Sequence, residues 1–148
     1  MDGYGNVPFT LHVTSAKPTQ IQRADLYEWL EQELLEIEPL LSDAKAKTSS
    51  DANYGRVDKA AAWFLLMRLY LNAEVYTGTP QWSKAAEYAQ KVMNSDYKLY
   101  TNDKGNYSAY AQQFMGDNGE NGASVEAVFP ILQDSLTTQS YGTSTFLM

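Results

Sequence analysis

The sequence predicts a mainly α-helical protein built from helices paired through short turns, with long loops and at most one or two short strands. Three observations carry this expectation. Leu26, Leu30, Leu34, Ile37 and Leu41 recur at helical spacing. An apolar run opens after Asp58 and a second helical pattern starts after Gly78-Thr-Pro. Strand-like stretches, by contrast, are short and lie towards the two ends.

Taken in order, residues 1–23 read as an irregular lead. Gly3, Gly5, Pro8 and Pro18 punctuate it, and Phe9-Thr-Leu-His-Val is at most a short extended piece. A first helix is expected to start near Asp25. Asp25 and Glu28 stand in capping-box spacing, where one side chain takes a free backbone N–H and the other reaches back. Pro39 should kink or end that helix, and residues 44–53 read as a solvated linker. Asp58 should cap the second helix, with Ala60, Ala61, Phe64, Leu65, Leu69 and Ala73 on its inner face. Thr79 then offers an N-cap, with Pro80 at the first helical position, where its missing N–H costs nothing. The third helix should run to about Asn94, with Trp82, Ala85, Ala86, Ala89 and Met93 inward. So short a turn packs the second and third helices antiparallel. After Asp96 the expectations are a short helix over residues 107–115, a tight loop over 116–122, and a strand over 125–132. Pro130 would confine that strand to a sheet edge.

The totals narrow the functional classes. In 148 residues there are 18 Asp+Glu against 11 Lys+Arg, a net charge of -7, with no basic cluster. Such a chain is a poor nucleic-acid binder, because phosphate neutralisation supplies most of that affinity. The absence of cysteine removes disulfides, thiolate metal sites and a Cys nucleophile. No apolar run is long enough to cross a bilayer, and Met-Asp-Gly-Tyr-Gly has no signal-peptide character. Aromatic residues are plentiful, with 11 Tyr, 5 Phe and 3 Trp. They suit interfaces, sugar stacking and ordinary cores alike.

No catalytic residue is expected. His12 is the single histidine, so neither a His-based triad nor a multi-histidine metal site can be assembled. The glutamates of the first helix fall mostly on its solvent side, not in the cleft that an acid/base pair needs. Asp117, Asn118, Glu120 and Asn121 gather hard oxygen donors in a Gly-rich loop, which fits calcium, but turn chemistry explains the same residues. Ser140-Tyr-Gly-Thr-Ser-Thr sets Tyr141 among hydroxyls, as a sugar-stacking residue or as a core tyrosine.

Trp82 followed by Lys84-Ala-Ala-Glu-Tyr-Ala-Gln-Lys-Val resembles the second helix of a tetratricopeptide unit. Such units stack on one another and bind partners on their concave side. A free-standing tetratricopeptide docking module for a protein segment is therefore one reading. A wider resemblance gives another. Asp2-Gly-Tyr-Gly-Asn-Val-Pro-Phe, Gln22-Arg-Ala-Asp-Leu-Tyr-Glu-Trp, Gly55-Arg-Val-Asp-Lys-Ala-Ala-Ala-Trp, Trp82-Ser-Lys-Ala-Ala-Glu-Tyr-Ala and Glu126-Ala-Val-Phe-Pro-Ile resemble, in family order, the SusD/RagB outer-membrane glycan-binding proteins. The resemblance implies a single internal segment of a larger lipoprotein: an irregular lead (1–23), a helical tetratricopeptide-like core (24–97) and a loop-rich part (98–148). It implies non-catalytic binding of oligosaccharide, with starch or another alpha-glucan favoured. It further implies a place on the outer face of the cell outer membrane and delivery to a SusC-like TonB-dependent transporter. The lipid anchor would lie outside this chain. Tyr141 is the position matched to the family's aromatic glycan-contacting arc, and calcium binding by family members favours the loop of Asp117, Asn118 and Glu120.

Overall fold

The computed structural model describes residues 3–132. Helices dominate those residues, together with one small antiparallel sheet, as the expected mainly α class requires. The chain divides into two compact units, Met1–Lys45 with Val57–Lys98, and Ala46–Arg56 with Leu99–Met148.

The helical unit opens on a hairpin. β1 (Val7–Phe9) pairs antiparallel with β2 (Thr19–Ile21) in the register Val7↔Ile21, Pro8↔Gln20, Phe9↔Thr19. A two-stranded sheet has only edges, so Pro8 is tolerated there. The lead is thus a hairpin rather than irregular chain, and it serves the helix that follows. Asn6 Oδ1 accepts the Arg23 N–H at 2.8 Å, and Phe9 packs edge-on against Trp29 with ring centroids 5.0 Å apart.

α1 (Arg23–Ile37) begins two residues before the expected Asp25 cap. Because Asn6 satisfies a free N–H from a distant position, Asp25 falls inside the first turn. There it favours the helix through the dipole and not through a capping box. Leu26 and Tyr27 are buried, Leu30 and Leu34 pack against the core, and Ile37 is 40% exposed. Pro39 ends the α-helix as expected, and Glu38–Leu40 continues as a single 3-10 turn.

α2 (Lys59–Leu71) starts where the sequence says it should. Asp58 is fully buried, and its Oδ1 accepts the Ala60 N–H at 2.9 Å. Its Oδ2 accepts the Lys45 N–H at 3.2 Å and the Tyr97 hydroxyl at 2.8 Å. A single carboxylate therefore ties three parts of the unit to one helix start. Burial first, and then the bond to Asp58, raises the Tyr97 hydroxyl well above the ordinary tyrosine range.

The expected inner face of α2 is rotated. Ala60 and Leu69 are buried as expected, but Phe64 is 44% and Leu65 52% exposed, and Ala62, Leu66 and Tyr70 are buried instead. The stretch Lys59-Ala-Ala-Ala-Trp-Phe-Leu-Leu-Met-Arg-Leu-Tyr-Leu is apolar almost all round, so spacing alone cannot phase it. α2 also stops before Ala73. The Asn72 side-chain amide donates to Arg68 O at 2.9 Å, competing with the helix ladder, and a one-turn α3 (Ala73–Thr77) follows. Gly78 closes α3 at φ 80, the left-handed conformation that glycine adopts without a Cβ clash.

α4 (Trp82–Met93) begins after Gln81, not at Thr79-Pro80. Thr79 is engaged elsewhere: its N–H donates to Thr77 Oγ1 at 3.1 Å, and that hydroxyl donates to Ala73 O at 2.9 Å. Ala85 and Tyr88 are buried, whereas Trp82 is 60% and Met93 75% exposed and Ala86 is exposed. The inner row is Ala85, Tyr88, Ala89 and Val92 at three- and four-residue steps. α2 and α4 run antiparallel. The start of α2 meets Tyr97, just past α4, while Tyr70 near its end lies under Lys84 of the first turn of α4.

Between these helices lies an aromatic core of Tyr27, Tyr70 and Tyr88 with Leu66 and Leu69, closed by Ala73 and Ala85. The Tyr70 and Tyr88 rings are 5.5 Å apart. Their hydroxyls reach two glutamates of α1 and its 3-10 extension. Glu31 accepts from Tyr70 at 2.8 Å and Lys84 at 3.0 Å. Glu38 accepts from Trp63 Nε1 at 2.6 Å, with the Tyr88 hydroxyl at 3.5 Å and Lys91 Nζ at 3.7 Å. Two of the glutamates expected on the solvent side are thus half-buried hydrogen-bond hubs. Burial pushes the Tyr27 hydroxyl up to about 12, with Glu31 adding to the effect.

In the second unit the expected helix over 107–115 shrinks to α5 (Ala109–Gln112), capped by Ser108 Oγ on the Ala111 N–H at 3.1 Å. No strand runs through 125–132. Gly122, at φ 102, starts a 3-10 turn over Ala123–Glu126, and the Tyr100 ring would lie 3.3 Å from a Cβ there. The Ala127 N–H closes on Ser124 O at 3.1 Å, and Pro130 offers no N–H to a ladder. Val125 and Glu126 are therefore committed to a turn that alternation could not reveal.

Candidate functional site

The second unit is organised around a buried amide. Gln112 is 1% exposed; its Nε2 donates to Asn102 O at 2.7 Å, and the Tyr100 hydroxyl lies 3.2 Å from its Oε1. The Gln112 carbonyl accepts the Asn121 side-chain amide at 3.1 Å. Glu126 accepts the Tyr100 N–H at 2.9 Å and makes a further short bond with Gln113 Nε2. Asp103 Oδ1 holds the Ala109 N–H at 2.7 Å. Loop backbone is thereby fixed by side chains as well as by its own turns, which is what an irregular segment requires when its amides lack ladder partners.

Beside this hub is a hollow of about 320 Å3. Lys104 and Tyr107 exchange backbone hydrogen bonds at 3.0 and 3.1 Å across the tight Gly105-Asn106 turn. That turn presents Lys104, Asn106 and Tyr107 to one side of the hollow; Asp117 and Asn121 line it too, with Gln112 and Met115. Tyr107 is 58% exposed. The Asn121 side chain is satisfied within the loop, its amide by Gln112 O and Asp117 Oδ1 and its Oδ1 by the Ala123 N–H at 2.9 Å.

The helical unit carries a different hollow, of about 280 Å3, lined by Leu30, Leu34, Leu65, Leu69 and Tyr76 with Arg68 and Asn72.

Of the residues singled out from sequence, Asp117, Asn118 and Glu120 lie in consecutive turns. Asp117 O accepts the Glu120 and Asn121 N–H groups at 2.8 and 2.9 Å, and Asp117 Oδ1 accepts the Asn121 amide at 3.2 Å. The Asn118 amide turns away to Gln113 O at 2.8 Å, and Glu120 is exposed. No group of three or more His, Asp or Glu side chains positioned for a metal occurs among the described residues. Tyr141 lies outside the described residues. His12 is exposed, with its N–H on Thr10 Oγ1 at 3.3 Å. The hollow at Lys104, Asn106 and Tyr107 is the grouping that sequence reasoning missed. Its one available signal was the Gly105-Asn106 turn next to an aromatic.

The described residues thus comprise a helical unit and a loop-rich unit ordered by turns and side-chain hydrogen bonds. No family model matches the chain. It is 43% identical over 149 residues to the starch-binding protein SusD of Bacteroides thetaiotaomicron, a match that takes in all of this chain and 25% of the relative. The chain thus spans about a quarter of the length of that relative. The similarity to that SusD protein runs through the whole of this chain.

Proposed function

We propose that this chain is part of a non-catalytic glycan-binding protein of the cell surface. In this reading it binds oligosaccharide, with an alpha-glucan favoured, and passes it to a SusC-like TonB-dependent transporter in the outer membrane. The identity of 43% to a starch-binding protein across the whole chain carries the reading. The helical unit serves as scaffold, of tetratricopeptide type, and the loops supply the sugar contacts. Bond cleavage is not part of this role. The half-buried carboxylates of Glu31 and Glu38 are held by tyrosine, tryptophan and lysine, not left free for acid/base work.

The test is calorimetric titration of the intact protein with maltoheptaose. Saturable binding without release of smaller sugars is expected; an absence of binding to this and to other oligosaccharides removes the reading. Tyr141→Ala should weaken binding while leaving the Tm almost unchanged, by about 0.5–1.5 kcal/mol for lost stacking. A large fall in Tm would make Tyr141 a core residue instead. Calcium at Asp117, Asn118 and Glu120 is a separate proposal, resting on hard oxygen donors in one loop. A chelator-sensitive Tm that Asp117→Asn abolishes would support it, and a Tm indifferent to both would end it.

A further inference from the structure

We propose that Asn118 is a self-modification site, whose side chain closes on the backbone nitrogen of Gly119 to a succinimide and ends as aspartate or isoaspartate, while Asn121 in the same loop is protected. The run Asp117-Asn-Gly-Glu-Asn-Gly contains two Asn-Gly steps. Such a step favours ring closure, because glycine has no Cβ to shield its nitrogen from the asparagine side chain. The two steps are nearly alike in sequence, so the structure decides between them. This chemistry belongs to the chain itself and is independent of the glycan-binding reading.

Water is the sole co-reactant. The Gly119 nitrogen loses its proton and bonds to Asn118 Cγ, the Cγ–Nδ2 bond breaks, and Nδ2 leaves as ammonia with that proton. Water then opens the ring. Cleavage between Cγ and the nitrogen gives aspartate, and cleavage at the Asn118 backbone carbonyl gives isoaspartate, with the chain rerouted through the side chain.

Asn118 is exposed, and its amide makes a single side-chain bond, to Gln113 O at 2.8 Å. Opening that bond frees Cγ to turn towards Gly119. The Gly119 nitrogen is held ready. Its N–H meets no acceptor among the described residues, its carbonyl takes the Ser49 N–H at 3.0 Å, and a Cβ there would lie 3.0 Å from the Tyr54 hydroxyl. Ring closure needs the electrophile brought to a fixed nucleophile, and here one bond stands in the way. Asn121 differs. Its Nδ2 donates to Gln112 O at 3.1 Å and to Asp117 Oδ1 at 3.2 Å, and its Oδ1 accepts the Ala123 N–H at 2.9 Å. All three must open before its Cγ can reach Gly122. The Gly122 N–H is as free as that of Gly119, so the protection lies in the side chain. Conversion of Asn118 replaces the donor to Gln113 O by a carboxylate beside Asp117 and Glu120, and isoaspartate adds a methylene to the backbone next to the Ser49 tie. The aged loop is more acidic and less firmly held.

The test incubates the intact protein in mildly alkaline buffer with EDTA, which keeps the loop free of cations, and reads both positions by peptide mapping with fragmentation. Conversion at Asn118, mainly to isoaspartate, should outrun that at Asn121 by about tenfold or more, since two additional bonds hold Asn121. In urea that unfolds the protein, the two rates should agree within about threefold, because the structural restraint is gone. Asn118→Gln, whose longer side chain closes the ring poorly, should abolish most of the conversion in the folded protein. Asn118 left intact in the folded protein, or reacting no faster than Asn121, overturns the proposal.

Discussion

The two units of this chain solve the same problem by different physics. The helical unit satisfies its backbone within α1, α2 and α4 and is held by an aromatic and aliphatic core around Tyr27, Leu66, Tyr70 and Tyr88. Among its described residues, the unit that includes Leu99–Glu126 has one α-helix of four residues, and Gln112, Asn121, Asp103 and Glu126 bond to its loop backbone. Apolar burial is non-directional and tolerates substitutions that keep volume. A network of directed bonds does not, since each lost member leaves a desolvated partner behind. The difference suits the division proposed between scaffold and recognition surface, because sugar-binding groups need fixed directions more than they need a large core.

Replacing Asp58 is the severest way to break the helical unit, although its core is apolar. Asp58→Ala removes the α2 cap and the acceptor that the Lys45 N–H and the Tyr97 hydroxyl share, so a loss of about 3–5 kcal/mol is expected in chemical denaturation. A loss below about 1 kcal/mol would show that water replaces the carboxylate without penalty.

Leu66→Ala against Leu65→Ala tests which face of α2 carries the burial. With Leu66 fully buried and Leu65 52% exposed, the first should cost about 2–5 kcal/mol and the second less than about 1 kcal/mol. Equal losses would mean that the exposed face is also covered in the intact protein.

Gln112→Leu probes the other unit. The Asn102 carbonyl loses its Gln112 donor and the Tyr100 hydroxyl keeps the Asn121 carbonyl as acceptor, so a loss of about 1–3 kcal/mol is expected even though the new side chain is apolar and of similar size. A neutral result would show that apolar packing, and not the bonds, holds this unit.

The mildest test is pH. Tyr70 and Tyr97 have hydroxyls raised mainly by burial, then by their bonds to Glu31 and Asp58. A group whose pKa is higher when folded binds its proton more tightly in that state. Its contribution is intact below the unfolded value near 10 and declines as pH rises above it. Denaturation midpoints should therefore fall from about pH 10 upwards, and Tyr70→Phe should flatten that fall. An unchanged slope would remove Tyr70 from the account.

The sequence alone determined the mainly α class, the cap at Asp58, the stop at Pro39 and the break at Gly78. Each depends on bonds or dihedral limits within a few residues, so local chemistry was enough. The ordered resemblance to the SusD/RagB proteins was legible for the same reason: it consists of short runs in fixed order. Tertiary structure decided the rest. Asn6 supplies the N-terminal bond of α1 from across the hairpin and moves its start ahead of Asp25. Leu66 and Tyr70, not Phe64 and Leu65, face the core because an all-apolar helix takes its phase from its neighbours. Thr77 holds the Thr79 backbone in a turn ahead of α4, which starts after Gln81, and Gly122 with Tyr100 turns the start of the expected strand at 125–132 into a 3-10 turn. The hollow at Lys104 and Tyr107 belongs to this second group. It unites the 104–107 turn with Asp117 and Asn121 around Gln112, whose side chain donates to Asn102 O and whose backbone carbonyl takes the Asn121 amide, and no spacing within one segment records such a meeting.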